Sequence, residues 1–223
     1  MPRTRIKICG LTRACDAQAA ARAGADALGV ILAPGHRRSI TPLQASAVLA
    51  NVPAGVGRVG VFVDAAPGKI VSAVDVAGLA EVQLHGTESP AYCENLHELV
   101  PGVRVVKTLH VGGCFDAAAY AAYTAVVDAI LLDTLVPGAP GGTGASFDWA
   151  LARTLPRDLP LYLAGGLTPH SVAEAICVAA PGGVDVSSGV ESAPGEKDPA
   201  LIEAFMAAVR DADAATTDMT KDE

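Results

Sequence analysis

Short, β-branched apolar runs alternate along the chain with alanine-rich stretches whose apolar positions recur every three to four residues. Runs at 5–9, 27–32, 57–62, 81–84, 104–108, 129–132, 161–164 and 183–187 predict strands. Their starts lie 22 to 32 residues apart, close to one strand-plus-helix unit per interval. Thr41-Pro42, Ser89-Pro90, Thr168-Pro169 and Asp198-Pro199 each set a capping side chain before a proline suited to the first helical position. Thr12 is expected to cap the first helix, whose body runs to about Ala23 before Gly24 stops it. Eight such units predict a single-domain α/β fold, a (β/α)8 TIM barrel over residues 1–210, followed by an acidic, frayed tail at 211–223. A doubly wound sheet would call for a glycine-rich phosphate turn after an early strand. There is no GxxxxGK[ST], and Gly142-Thr143-Gly144 follows a loop and lacks the third glycine.

Composition then narrows the partners. The 223 residues carry a formal charge of −8 and only one Trp, four Tyr and four Phe. A basic stripe for phosphates and rings for base stacking are both missing, so nucleic acid is excluded as a partner. An anionic ligand would have to be met by positive groups gathered locally against the global charge. No apolar stretch approaches the ~20 residues of a membrane span. Arg3, Arg5 and Lys7 are followed by no signal-type apolar segment. Five cysteines with no CxxC pair read as reduced thiols, which predicts a cytoplasmic protein without a disulfide frame. No His or Cys pair has ligand spacing, so no metal site is expected.

In a barrel of this kind, chemistry belongs at the C-terminal ends of the strands. Strand one ends in Lys7-Ile8-Cys9-Gly10, strand four in Gln83-Leu84-His85-Gly86 and strand six in Leu131-Leu132-Asp133. Alternation puts Lys7 with Cys9 on one face and Leu131 with Asp133 on another; if Leu131 packs inside, Asp133 points into the mouth. Each also has a structural reading. Cys9 can be a small buried hydrophobe, Asp133 a loop anchor ahead of Thr134, and His85 a satisfied strand-end histidine. Lys7 and Lys107 can pair with carboxylates inside the barrel or reach to its mouth. The loops Gly165-Gly166 and Ser187-Ser188-Gly189 follow strands seven and eight, where small residues and free amides suit a phosphate. The loop after strand two holds Arg37-Arg38, one of which can clamp a carboxylate with its planar fork.

Taken together, these segments resemble phosphoribosylanthranilate isomerase of tryptophan biosynthesis. The match runs through Lys7-Ile8-Cys9-Gly10, Arg58 to Val63, Val82-Gln83-Leu84-His85-Gly86, Leu131-Leu132-Asp133, Gly141-Gly142-Thr143-Gly144 with Phe147-Asp148-Trp149, and Gly165-Gly166-Leu167. It ends with Asp185-Val186-Ser187-Ser188-Gly189-Val190-Glu191, Pro194-Gly195 and Lys197-Asp198. The resemblance implies an Amadori rearrangement of N-(5-phosphoribosyl)anthranilate to 1-(2-carboxyphenylamino)-1-deoxyribulose 5-phosphate, with no cofactor. It makes Asp133 the general acid and Cys9 the general base. Arg38 becomes the anthranilate-carboxylate clamp, Asp185 a residue near the anthranilate, His85 a substrate contact, and Gly165, Gly166, Ser187, Ser188 and Gly189 the phosphate site.

Strand two departs from the family pattern, with Gly29-Val30-Ile31-Leu32 and with His36 where a serine is usual. That leaves Arg37 as an alternative clamp. A sister histidine-pathway or dual-substrate isomerase, and a non-catalytic sugar-phosphate-binding barrel, are the competing readings. Cys9 stands where the sister enzymes carry an aspartate. Monomer and homodimer are both compatible with the sequence.

Overall fold

The structure is a computed structural model that describes residues 3–112, 117–134 and 148–219. Eight parallel strands close into a barrel in chain order: β1 (Arg5–Ile8), β2 (Ala27–Ile31), β3 (Gly57–Phe62), β4 (Glu81–Leu84), β5 (Arg104–Val111), β6 (Ala129–Thr134), β7 (Leu161–Leu163) and β8 (Gly183–Val186). β8 pairs back onto β1, setting Lys7 opposite Asp185. Around them lie α1 (Ala14–Ala23), α2 (Pro42–Leu49), α3 (Pro67–Ala77), α4 (Pro90–Leu99), α5 (Ala117–Tyr123), α6 (Leu151–Thr154), α7 (Val172–Ala179) and α8 (Pro199–Met219). A one-turn 3₁₀ segment at Ser188–Val190 and a small hairpin, β9 (Glu191–Ala193) with β10 (Glu196–Lys197), fill the loop after β8.

Three helix starts follow the expected capping chemistry. The Thr41 hydroxyl accepts from Gln44 N while the Gln44 side chain accepts from Thr41 N, a complete capping box before Pro42. Ser89 accepts from Tyr92 N, and Asp198 from Ala200 N. Thr12 departs from its expected role because its hydroxyl donates to Gly195 O at 2.6 Å; α1 begins at Ala14 with no side-chain cap. Thr168 and Ser171 bind each other's backbone amides, so α7 starts only at Val172. Gly24 ends α1 in the left-handed region at φ 97°, as expected of a glycine there.

The tail differs more. α8 continues unbroken through Met219, and Asp213 accepts from both the amide and the hydroxyl of Thr4. A segment expected to fray from position 211 therefore closes the entry to β1. The physical reason is register: Ile202, Phe205, Met206, Val209 and Ala212 form one buried stripe at helical spacing, which carries the helix on past 211.

Two apolar clusters hold the fold. The larger lies between sheet and helices, with Ile6, Leu28, Leu84, Leu132 and Phe205 among its members. The smaller, formed by Val106, Ala129, Leu131, Tyr162 and Ala164, fills one side of the barrel interior. Polar side chains share that interior: Arg5, Lys7, Glu81, Gln83 and Asp185 line the same central space as Val106, Leu131, Tyr162 and Val184. At the lower end, Arg5 and Arg104 both donate to one oxygen of Glu81 at 3.0 Å. Arg5 also donates to the Tyr162 hydroxyl, its guanidinium 5.5 Å from the ring centre. No helix among the described residues is long and apolar enough to cross a membrane.

Candidate active site

β1 carries Arg5, Lys7 and Cys9 inward at successive heights, with Cys9 just beyond the strand end and 6% exposed. Room for it comes from Gly29 on β2. A Cβ there would lie 2.8 Å from Cys9 Sγ and 3.0 Å from Lys7 Cε, so any larger residue would push both side chains out of place. Lys7 Nζ donates to Asp185 Oδ2 at 2.7 Å, across the β1–β8 pairing. Burial pushes the Cys9 thiol up and the Asp185 charge adds to it; the nearby Lys7 ammonium and Lys197 pull the other way, without fully offsetting burial. Burial opposes the Lys7 charge too, yet Asp185 and Cys9 outweigh it and hold that ammonium firmly protonated.

Above this pair sits a second ionic group. Arg38 is buried, and its Nε and Nη2 each donate to a different oxygen of Glu191 at 2.6 Å. Lys197 donates to Glu191 Oε1 at 2.8 Å and to Ser187 O at 3.0 Å. Burial alone would raise the Glu191 carboxyl; the Arg38 and Lys197 hydrogen bonds more than offset it and hold the group below its ordinary range. The Nη1–Nη2 edge of Arg38 faces away from Glu191, so the fork can take a second carboxylate. Gly10, at φ 73°, lets the chain pass beneath: a Cβ there would meet Arg38 Cδ and Ser187 Oγ at 2.7 Å each.

The opposite wall comes from β4, β5 and β6. Leu131 is buried in the interior cluster, and Asp133, two residues on, points into the mouth as alternation requires. Its Oδ1 accepts from Thr134 N at 2.8 Å, and its Oδ2 lies 3.2 Å from His85 Nε2. Gln83 Nε2 is 3.1 Å from His85 Nδ1 and 3.3 Å from Thr108 Oγ1, which fixes the imidazole plane. The loop holding His85 is pinned from below. The Lys107 ammonium, one position out of phase with the inward residues of β5, donates to Gly86 O at 2.7 Å and to Glu88 Oε2 at 2.9 Å. Glu88 in turn accepts from the amides of Asp64 and Gly86.

The loops after β7 and β8 form the lip between the walls. Gly165 and Gly166 take φ values of 82° and 67°, and a Cβ at Gly165 would fall 2.7 Å from Asp133 Oδ1. Gly189 lets the two loops touch, since a Cβ there would sit 2.0 Å from Leu167 O. Ser187 follows β8 directly, and Ser188 opens the 3₁₀ turn.

Of the residues singled out from sequence, Cys9, Arg38, Asp185 and Ser187 meet on the β1–β8 wall, and His85 with Asp133 on the β4–β6 wall. Asp185 is buried below Cys9; its Oδ2 binds Lys7 at 2.7 Å, and its Oδ1 is, among the described residues, one of the buried polar atoms that have no hydrogen-bond partner. His36 accepts from Arg38 N through Nδ1 at 3.2 Å, which organises the loop after β2. Residues 141–144 and 147, part of the sequence pattern, lie outside the described residues. The sequence reading missed Glu191 as the partner of Arg38, Lys197 as its second cation, and His110 beside His85. Glu191 and Lys197 stood in the matching segments without a role; an acidic and a basic residue six positions apart in the loop after β8 was the available signal. His110 was missed because β5 runs to Val111, three residues past the expected end at 108.

A family model for N-(5'phosphoribosyl)anthranilate (PRA) isomerase matches residues 6–208. The chain is 46% identical over 212 residues to an N-(5'-phosphoribosyl)anthranilate isomerase of Pseudomonas fluorescens, covering 94% of this chain and 97% of the relative. It superposes on the phosphoribosyl anthranilate isomerase of Thermotoga maritima with a TM-score of 0.85 at 38% identity, covering 93% of this chain and 99% of the other. A phosphoribosyl anthranilate isomerase in complex with reduced 1-(o-carboxyphenylamino)-1-deoxyribulose 5-phosphate gives 0.82 at 37% identity, with the same coverage of both chains.

Proposed function

Since the chain belongs to the N-(5'-phosphoribosyl)anthranilate isomerase family, an enzyme of tryptophan biosynthesis, we propose that its two walls divide one Amadori rearrangement between them. Asp133 gives a proton to the furanose ring oxygen of the substrate; the C1′–O bond breaks as the anthranilate nitrogen lone pair forms a Schiff base. Cys9, as thiolate, then takes the C2′ proton, and the electron pair left behind neutralises the iminium to an enolamine. Tautomerisation gives the ketone, so atoms and electrons balance within one substrate.

The observation that carries this reading is the placement of Cys9 and Asp133 on different walls of one mouth, each with its own partners. Cys9 requires deprotonation against its burial, and Lys7, held charged by Asp185, is the group that favours it. Asp185 thus holds Lys7 through Oδ2, and its unpartnered Oδ1 is open to the anthranilate end of the substrate. Arg38 offers its free edge to the anthranilate carboxylate while Glu191 fixes the other edge. The amides around Gly165, Gly166, Ser187, Ser188 and Gly189 receive the phosphate without a lysine, as suits an acidic chain. The relative in complex with the reduced product analogue supports a phosphorylated, carboxylate-bearing ligand for this mouth.

The test is loss of anthranilate fluorescence on freshly made phosphoribosylanthranilate, with the histidine-pathway ribosylformimino substrate run alongside. Turnover of the first, and at most weak turnover of the second, is expected. The converse would assign the barrel to the sister reaction, and no turnover of either to a binding role.

A further inference from the structure

Asp133 has two neighbours that the rearrangement does not use fully. His110 on β5 is the register partner of Asp133 on β6, and His85 follows β4 on the next strand over. The imidazoles of His85 and His110 meet edge-on, centroids 4.9 Å apart at 76°. One ligand atom from each of His85, His110 and Asp133 lies within 4.8 Å of the other two. We propose that these three side chains form a site for a divalent first-row transition ion, with Zn²⁺ and Co²⁺ as its natural class.

Donor type and geometry both point there. Two imidazole nitrogens and one carboxylate oxygen match the borderline ions, whereas Mg²⁺ and Ca²⁺ prefer sites made of oxygen alone. Bonds near 2.1 Å to a tetrahedral ion place ligand atoms roughly 3.4 Å apart. His85 Nε2 and Asp133 Oδ2, at 3.2 Å, are already there. Only His110, at an exposed position, has to close in, giving up the contact of its Nε2 with His85 O at 3.1 Å. Outer partners are in place as well. Gln83, with its amide turned to present Oε1, would accept from the Nδ1–H of a His85 that ligates through Nε2, and Thr134 N holds Asp133 Oδ1, leaving Oδ2 for the ion. The mouth leaves the remaining coordination positions to water.

The site stands on this geometry alone. Its consequence rests on the role proposed for Asp133: a carboxylate bound to an ion has no proton to deliver to the ring oxygen, so occupancy inhibits the isomerase. Sequence spacing conceals the cluster because its ligands come from three strands, 25 and 23 residues apart.

Titration of the purified enzyme with Co²⁺, followed by visible absorption, tests the site without recourse to turnover. We expect ligand-field bands stronger than those of the aqueous ion, displaced by Zn²⁺ and abolished by a chelator. Turnover should fall in step and return with the chelator. His110→Ala and His110→Gln, at an exposed position, should keep metal-free activity and weaken the ion's hold at least ~10-fold. Unchanged Co²⁺ affinity in both variants, or no enhanced bands in the parent enzyme, would overturn the site. Thiolate-to-cobalt charge-transfer absorption lost in Cys9→Ser would also overturn it, by making Cys9 the ligand. Bands that respond to His110 while turnover stays intact would keep the site and remove Asp133 from its catalytic role.

Discussion

At the lower end of the barrel Arg5, Arg104 and Tyr162 close around Glu81, whose side chain is almost wholly buried. Two and four residues further along the same strand, Lys7 and Cys9 stand in a mouth that gathers charge but leaves some of it uncommitted. Below, the Glu81 carboxylate binds two guanidinium groups and the cluster is self-contained. Above, Arg38 binds Glu191 through Nε and Nη2 with no partner at Nη1 among the described residues, and Asp133, held at Oδ1 by Thr134 N, meets at Oδ2 only the partly exposed His85. The same residue chemistry serves stability where every partner is supplied by the fold and, on the proposed mechanism, reactivity where the substrate supplies one.

This contrast breaks most sharply at the two reacting groups. Cys9→Ala and Asp133→Asn should each lower kcat by ~10² or more, with thermal unfolding unchanged within a degree or two. Near-normal turnover in either, measured by anthranilate fluorescence, would end the assigned division. Arg38→Ala removes a charge-assisted fork and should raise KM by about tenfold or more, with a smaller effect on kcat. A large effect at Arg37 instead would move the clamp to the neighbouring residue. At the lower end the pattern inverts. Glu81→Gln leaves two guanidinium groups without their carboxylate and should cost about 1–3 kcal/mol in denaturant unfolding while kcat stays within twofold.

The smallest effect concerns pH. The Cys9 thiol lies above its ordinary range, so its thiolate fraction grows as pH rises, and kcat/KM should climb with pH on the alkaline side of neutrality. Lys7 opposes that upward shift, so Lys7→Gln should move the profile to higher pH; the Asp185 charge adds to the shift, so Asp185→Asn should move it to lower pH. A profile unmoved in Lys7→Gln would remove Lys7 from thiol activation. Glu191 works with the opposite sign. Its carboxyl is held low, so the stability it adds is full above the ordinary carboxylate range and is lost as acid protonates it.

The barrel was legible because each strand-plus-helix unit repeats the same apolar rhythm, and Thr41-Pro42, Ser89-Pro90 and Asp198-Pro199 punctuate it. Asp133 was legible through Leu131: alternation fixes one from the other. Contacts made across strands were not. Glu191 meets Arg38 over 153 residues of chain and Asp185 meets Lys7 over 178, and no local pattern carries such pairings. Thr12 shows the limit from the other side, since a good capping residue was drawn off by a carbonyl in the loop after β8.

The division of labour is tested most directly with substrate deuterated at C2′, comparing the isotope effect on turnover in Cys9→Ser and Asp133→Asn. If Asp133 opens the ring and Cys9 then takes the C2′ proton, Cys9→Ser should show a full primary effect. In Asp133→Asn, where ring opening limits the rate, the effect should collapse toward unity. Equal effects in the two variants, or the reverse order, would contradict the account.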